Sequence, residues 1–243
     1  MAQQLPITRT LNDVLGGPVT AVLNALGIEP ADAAAPLSNP IAMQIVVLAV
    51  LVIIFLITRA RLSVESPGAL QHVIEGVREF IGDLAHEMIG HGYERFIPFL
   101  MALLSYILVC NLIGLVPGFE SPTASPVVPL GCAIFTWVYY QYYGFRENGA
   151  AYLKHFIGPV WWLGWLVFPI EIFSHLARML SLTVRLYANM FAGDMVTLVF
   201  FSLIPIGVPV IFLGLHIGVS FIQTYIFVLL AAVYLGGATA HEH

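Results

Sequence analysis

The sequence contains little charge: 9% of its 243 residues are Asp, Glu, Lys or Arg, whereas 59% are apolar. A soluble domain carries roughly 25% charged residues, so this chain lacks the charge to cover a water-exposed surface. The shortage argues against a soluble enzyme, a nucleic-acid-binding protein and a disordered chain. The apolar residues form long continuous runs, without the alternation of a membrane β-barrel. The composition therefore predicts an all-α polytopic membrane protein.

Cysteine is also scarce, and the N-terminus lacks the marks of a signal sequence. The two cysteines, Cys110 and Cys132, fall inside apolar runs and have no metal-ligand neighbour at a useful spacing. We therefore expect no disulfide framework, no metal site and no cofactor. The N-terminal MAQQLPITRT has no basic region followed by an apolar core, so no cleavable signal peptide is predicted.

The chain divides into a polar, Pro/Ala-rich tail, residues 1–38, and a single membrane domain, residues 39–243. The tail has one short apolar patch, and we expect it to lie outside the cytoplasm. A membrane-spanning helix needs about 20 apolar residues. Five membrane-embedded helices are predicted, from the runs 41–57, 96–116, 127–145, 160–203 and 207–237.

A further helix, at about residues 66–92, is predicted to lie on the membrane surface. Ser66 and Pro67 are typical of an N-cap and a first helical residue, and apolar residues follow at helical spacing. The opposite face carries four acids between Glu75 and Glu87. The helix is therefore amphipathic. Its acidic face is either solvated or a docking stripe for a basic partner.

The basic residues predict the orientation of the chain. Cytoplasmic loops carry an excess of Lys and Arg. This pattern places the N-terminus outside and the C-terminus in the cytoplasm, with only Arg9 outside. The residues assigned to the cytoplasmic side are Arg59, Arg61, Arg78, Arg95, Arg146 and Lys154.

Ionisable residues inside the long run 160–203 are the candidates for function. The run is about twice the length of a perpendicular span, so it must tilt steeply or break near Pro169. Ionisable groups in a membrane segment are costly and by default functional. Arg185 has long apolar sequence on both sides and cannot reach the interface, whereas Arg178 can. The run holds Glu171, His175, Arg178, Arg185 and Asp194.

Folding 160–237 as an antiparallel hairpin about Ile206 predicts two polar layers. Arg185 is 21 residues before the turn and Gln223 is 17 after it, so both lie near mid-depth. Asp194 is 12 before the turn and His216 is 10 after it, closer to the outer surface. An Asp–His pair in low dielectric stabilises each other's charge or shares a titrating proton. Alternatively, the two residues merely satisfy each other's polarity.

These layers resemble an incomplete ion path. Asp194, His216 and Asn189 approach mid-membrane from the outer side, and Glu171 and Ser174 approach from the inner side. Between them lies Arg185, which stays protonated at any physiological pH and blocks direct passage. The chain offers Arg185 no carboxylate in its own layer, so we expect its partner to come from another subunit.

The residues that carry this pattern also carry a resemblance to a family. The stretch 171–194, EIFSHLARMLSLTVRLYANMFAGD, resembles the hallmark segment of subunit a of the F-type ATP synthase. His216, Gln223 and the ending YIFVLLAAVYL resemble that family's last helix, and NLIGLVPG at 111–118 resembles an earlier membrane motif. The resemblance covers most of the chain from residue 40.

The resemblance implies an ion-translocating stator subunit that forms two offset proton half-channels against a rotating c-ring. It implies that Arg185 is the essential cation facing the ring carboxylate. Proton flow would drive rotation and ATP synthesis elsewhere, so the chain is not an enzyme alone. The outer half-channel residues would be Asn189, Asp194, His216 and Gln223, and the cytoplasmic ones Glu171 and Ser174.

The resemblance further implies a setting and a set of partners. The expected location is the inner membrane of a bacterium, with the c-ring, peripheral-stalk subunit b and the rest of the ATP synthase as partners. Asp194 replaces a commoner Glu, which predicts a longer or water-bridged contact with His216. Ala188 replaces a commoner Gly. His175 and Arg178 vary in the family and receive no role.

Two alternatives come from other classes of protein. A stand-alone secondary transporter usually shows repeated halves with broken helices, and the sequence has no internal repeat. A structural subunit of another membrane complex would tolerate substitution of Arg185 and Gln223.

Overall fold

The fold is a bundle of helices. The computed structural model describes residues 5–25, 27, 35–63, 67–116, 118–149, 152, 164–203 and 207–239. Over these ranges the ordered elements are helices and none is a strand, which confirms the all-α architecture. The α-helices are α1 Pro6–Ala25, α2 Asn39–Ala60, α3 Ala69–Ile89, α4 Ile97–Ile113, α5 Val127–Asn148, α6 Gly164–Leu203 and α7 Val208–Thr239, with short 3-10 helices at Tyr93–Phe96 and Pro122–Ala124.

Four helical segments of the described chain are long and apolar enough to cross a membrane: α2, α4 with its preceding 3-10 turn, α6 and α7. This confirms a polytopic membrane protein. Helix α5 has 22 residues, but the tyrosines around Gln141 lower its mean hydropathy, and it is not among the four. It nevertheless packs against both α6 and α7. A total of five membrane-embedded helices stays a prediction.

The N-terminal tail contains more structure than its composition suggests. Residues Pro6–Ala25 form a 20-residue helix that continues through Pro18 and packs against α2. Asn12 fastens it, because its side chain both accepts from and donates to the backbone of Leu37 at 2.9 and 3.1 Å. The predicted short apolar patch is therefore part of a longer helix, which the Gly and Pro residues at 16–18 concealed in the sequence.

Helix α3 begins later than the sequence predicted. Gly68, in extended conformation, occupies the N-cap position and Ala69 is the first helical residue, so the assignment of Pro67 as the first residue was wrong. Ser66 lies outside the described residues. The second half of the apolar face is buried, at Ile81, Leu84 and Ala85, whereas Leu70 and Val73 are exposed. Only the C-terminal half of α3 therefore packs firmly into the bundle.

Helix α6 settles the choice between a tilt and a break. It runs for 40 residues and continues through Pro169, so no break occurs there. At 1.5 Å per residue it is about 60 Å long, roughly twice the hydrocarbon thickness of a bilayer. A helix of this length fits within a bilayer only when it is steeply tilted. Residues 160–163 and the turn at 204–206 lie outside the described residues.

The core of the bundle lies around α7 and away from most of α6. Helix α7 packs against α3, α4, α5 and α6, and its Val228 and Leu235 are fully buried with Phe96 and Leu100. In contrast, many apolar residues of α6 are exposed, for example Phe173 at 72% exposure. Helix α6 therefore lies at the edge of the helical bundle, with one side open to lipid or a partner.

A buried polar cluster ties the loop after α4 to α7. Asn111 is fully buried; its Nδ2 lies 3.3 Å from Thr224 Oγ1, and its Oδ1 accepts from Thr123 Oγ1 at 2.6 Å. Ser121 Oγ donates to the backbone oxygen of Cys110 at 2.9 Å. These bonds hold the 3-10 helix Pro122–Ala124 inside the bundle, where it also packs against α6. The loop thus supports the hairpin of α6 and α7.

Candidate functional site

The candidate site is built along the seam between α6 and α7. Leu182, Leu186 and Met190 of α6 are buried at this seam. Arg185 and Asp194 are nine residues apart, which is about two and a half helical turns. They therefore flank the buried seam on opposite sides. This position lets both side chains approach α7 although they lie on opposite faces of their own helix.

Asp194 contacts His216 at one edge of the seam. The distance from Asp194 Oδ1 to His216 Nδ1 is 3.7 Å, longer than a hydrogen bond but close enough for an ion pair. The backbone next to it is packed tightly, because a Cβ on Gly193 would lie 2.7 Å from His216 Nδ1. His216 is buried, and its Nε2 has no hydrogen-bond partner among the described residues. Asp194 is therefore the charged group that lies against this buried imidazole.

Arg185 lies at the other edge of the seam with few polar neighbours. Its Nη2 donates to Ser181 Oγ at 3.3 Å, and it forms no ion pair with any residue that the structure describes. The side chain is half-buried and shares a narrow cleft with Gln223 and Phe227 of α7. The structure thus brings Arg185 and Gln223 to one layer and Asp194 and His216 to another.

The surface beside Arg185 consists of small residues. Ser181, Ala188 and Ala192 are exposed on the same side of α6, and Asn189 is half-buried one turn beyond Arg185. Small side chains let another helix approach closely within a membrane. Arg185 is therefore within reach of a neighbouring helix that packs on this surface.

A polar cavity lies toward the N-terminal end of α6, beside the C-terminal end of α7. We call it the vestibule; its volume is about 320 Å³. Glu171 Oε1 lies 3.6 Å from His175 Nε2, and the Tyr140 hydroxyl lies 2.9 Å from His175 Nδ1. The guanidinium of Arg178 lies 5.4 Å from the centre of the Tyr234 ring. Of the two predicted cytoplasmic residues, Glu171 lines the vestibule, whereas Ser174 is half-buried and does not.

Sequence reasoning missed the tyrosines of this cavity. Three tyrosines line the vestibule beside His175 and Arg178. They are Tyr140 of α5, Tyr234 of α7, and Tyr152, which lies between α5 and α6 in the sequence. The only signal in the sequence is the run of tyrosines at 139–143 inside an otherwise apolar helix. Their positions opposite α6 depend on how α5 packs, which no local pattern shows.

Comparisons with known proteins agree along almost the whole chain. The family model described as "ATP synthase A chain" matches residues 41–236. An "ATP synthase subunit a" from Koribacter versatilis is 58% identical over the full length of both chains. A protein of the same name from Solibacter usitatus is 48% identical over 96% of this chain and 99% of its own. An "ATP synthase subunit a 1" from Syntrophotalea carbinolica is 44% identical over 77% of this chain and 80% of its own.

Proposed function

The chain belongs to the ATP synthase A chain family, and from this we propose how its residues move protons past the rotating ring. The protein is the membrane proton-channel subunit of the ATP synthase and its proton-translocating stator. It is a multi-pass protein of the inner membrane and works within the ATP synthase complex. It is therefore neither a stand-alone transporter nor a structural subunit of an unrelated complex, and it catalyses no reaction alone.

The proposal rests on the position of Arg185, which is half-buried and hydrogen-bonded only to Ser181 among the described residues. We propose that its guanidinium faces the carboxylate of each passing c-ring subunit. An opposite charge nearby favours the ionised carboxylate, so the ring site releases its proton there. Because a guanidinium does not release its own proton, Arg185 also separates the two half-channels.

Protons enter and leave through the polar groups on either side of Arg185. The outer half-channel is formed by Asn189, Asp194, His216 and Gln223. The cytoplasmic half-channel begins at Glu171 and Ser174. A proton that crosses from one to the other releases about 2.3 kcal/mol per 100 mV of membrane potential, and this free energy drives rotation.

The distribution of charge supports an orientation with the N-terminus outside and the C-terminus in the cytoplasm. At one end of the bundle Arg95 pairs with Glu147, and Asn148 donates to the backbone oxygen of Ala238 at 3.0 Å. The vestibule lies at this end as well. Because positive charge collects on cytoplasmic sides, we place the vestibule toward the cytoplasm and the Asp194–His216 contact toward the outside.

The c-ring is the partner proposed for the surface beside Arg185, and peripheral-stalk subunit b is the second partner. A disulfide cross-linking experiment tests the first contact. Ala188→Cys, which is exposed one turn from Arg185, is expected to cross-link to a cysteine placed next to the ring carboxylate. The measurement is the appearance of an a–c product on a non-reducing gel after oxidation of intact membranes.

Thr183→Cys is a matched control on the same helix. Thr183 is nearly the size of cysteine, is buried, and bonds to its own helix at Met179 O. We expect it to give no product. Equal cross-linking from Thr183→Cys and Ala188→Cys, or none from Ala188→Cys, would show that the ring does not contact this surface.

The Asp194–His216 contact provides a second test, of the outer half-channel. Asp194→Asn and His216→Asn should each slow ATP-driven proton pumping severalfold, because each removes one proton-carrying side chain of a 3.7 Å pair. Exchanging the two residues, Asp194→His with His216→Asp, restores the pair and should recover part of the rate. The double variant Asp194→Asn with His216→Asn, compared with the two single variants, should give a coupling free energy of about 1 kcal/mol. Pumping rates are measured from dye quenching in inverted vesicles.

Asp13→Asn, on the exposed side of α1, is the control and should pump at the wild-type rate. Strictly additive effects of the two single substitutions would mean that Asp194 and His216 act independently. Wild-type rates in both single variants would remove these residues from the path.

A further inference from the structure

His175 is a buried imidazole that the proposed mechanism does not use. It is 7% exposed and lies on α6 between Glu171 and Arg178, about 15 Å along the helix from Arg185. A histidine in a membrane segment is costly to bury and is by default functional.

The two ring nitrogens of His175 face different proton-carrying groups. Nδ1 lies 2.9 Å from the hydroxyl of Tyr140 on α5, and Nε2 lies 3.6 Å from Oε1 of Glu171 on its own helix. Toward one partner a hydroxyl acts as either donor or acceptor, and an imidazole can take a proton at one nitrogen while it releases one from the other. Tyr140 and His175 therefore share a hydrogen bond, whereas Glu171 lies at ion-pair distance from the other ring nitrogen, longer than a hydrogen bond. The three groups form a short series from α5 to the start of α6.

The vestibule gives the series Tyr140–His175–Glu171 access to solvent and places the positive charge of Arg178 beside it. Its titratable and charged groups come from α5, α6, α7 and the segment before α6: Tyr140, Glu171, Arg178, Tyr234 and Tyr152. Arg178, one turn from His175 and held over the Tyr234 ring, repels a second positive charge. A proton that reaches His175 is therefore passed on and not retained.

We propose that His175, held by Tyr140, is a proton-relay residue of the cytoplasmic half-channel. This inference rests on the proposed function. A proton from the ring side binds Nδ1 as the Tyr140 hydroxyl turns from donor to acceptor. The Nε2 proton passes to the carboxylate of Glu171 once a rotation of the Glu171 side chain closes the 3.6 Å gap to hydrogen-bond distance. Glu171 then releases that proton into the vestibule. One proton enters and one leaves, and the imidazole returns to its first tautomer by exchange with solvent.

His175→Gln separates a relay from a structural role, because glutamine keeps a hydrogen bond to Tyr140 but carries no proton. In membranes that contain the intact ATP synthase we expect ATP-driven pumping to fall about tenfold, with unchanged amounts of assembled complex. Tyr140→Phe, which removes only the hydroxyl, should also slow pumping. His91→Gln, at an exposed position, should change nothing.

His175→Ala adds a chemical test. Imidazole added on the cytoplasmic face should restore at least half of the lost rate, whereas pyrrole, a ring of the same size without a basic nitrogen, should not. Wild-type pumping in His175→Gln, or equal rescue by pyrrole, would overturn the relay and leave a packing role. Arg185→Ala measured in parallel keeps the two questions apart: coupled pumping without Arg185 would reject the proposed function itself, whereas normal pumping in His175→Gln rejects only the relay.

Discussion

Replacing Arg185 with alanine is expected to abolish both ATP synthesis and ATP-driven proton pumping, with the membrane sector still assembled. The variant loses the cation that we propose attracts the ring carboxylate and separates the half-channels. Passive proton conduction should persist or rise, because nothing then blocks direct passage. Inverted vesicles measure pumping, and the decay of an imposed pH gradient measures conduction.

Two further variants make this experiment decisive. Arg59→Ala, exposed at the end of α2, removes an equal charge far from the seam and should leave pumping unchanged. Arg185→Lys should also fail, because an ammonium releases its proton far more readily than a guanidinium when it is desolvated. Coupled pumping in Arg185→Ala would refute the assignment of this residue as the barrier between half-channels.

Replacing Gly236 with alanine is expected to destabilise the contact of α7 with α3, because the added methyl group has no room there. A Cβ at Gly236 would overlap the backbone oxygen of Met88 and lie 3.3 Å from Ile89 Cα. These atoms belong to the last turn of α3 and cannot swing aside like the tip of a long side chain. Overpacking of this kind costs roughly 1–3 kcal/mol, so less assembled complex should survive a thermal challenge.

The neighbouring glycine is a matched control. Gly237 lies in the same helix, and a Cβ there would meet no atom within 4 Å among those described. Gly237→Ala has the same helix propensity gain as Gly236→Ala without the collision. Equal melting temperatures for the two variants, measured on the purified membrane sector, would show that the approach of α7 to α3 is looser than the structure has it.

The fold was predictable from the sequence where long apolar runs determine it. The runs 41–57 and 96–116 became helices Asn39–Ala60 and Ile97–Ile113, because any spanning segment must satisfy its own backbone. The helix Pro6–Ala25 was missed because Pro18 and its two preceding glycines oppose a helix locally, and packing against α2 outweighs them. The hydrophobicity of α5 was overestimated because its tyrosines count as apolar in composition.

The site was predictable only where one hairpin positions it. Counting residues from the turn placed Asp194 opposite His216 and Arg185 opposite Gln223, because both pairs depend on two adjacent antiparallel helices. The vestibule depends on a third helix: Tyr140 reaches His175 from α5, and no periodicity within α6 predicts that contact. The contacts on which we base a role for His175 are therefore visible only in the packed structure.

The sparse bonding of Arg185 has a consequence for biogenesis. A newly inserted subunit that has not met its ring presents a half-buried guanidinium, bonded to Ser181 alone among the described residues, toward lipid. Inserting a charged residue near the centre of a membrane helix costs about 2.5–3.5 kcal/mol. Docking of the ring carboxylate, as we propose it, would offset much of that cost. The residue that we propose separates the half-channels thus destabilises a subunit that has no ring beside it. We therefore expect the subunit to be degraded faster in membranes that lack the c subunit than in membranes that contain it.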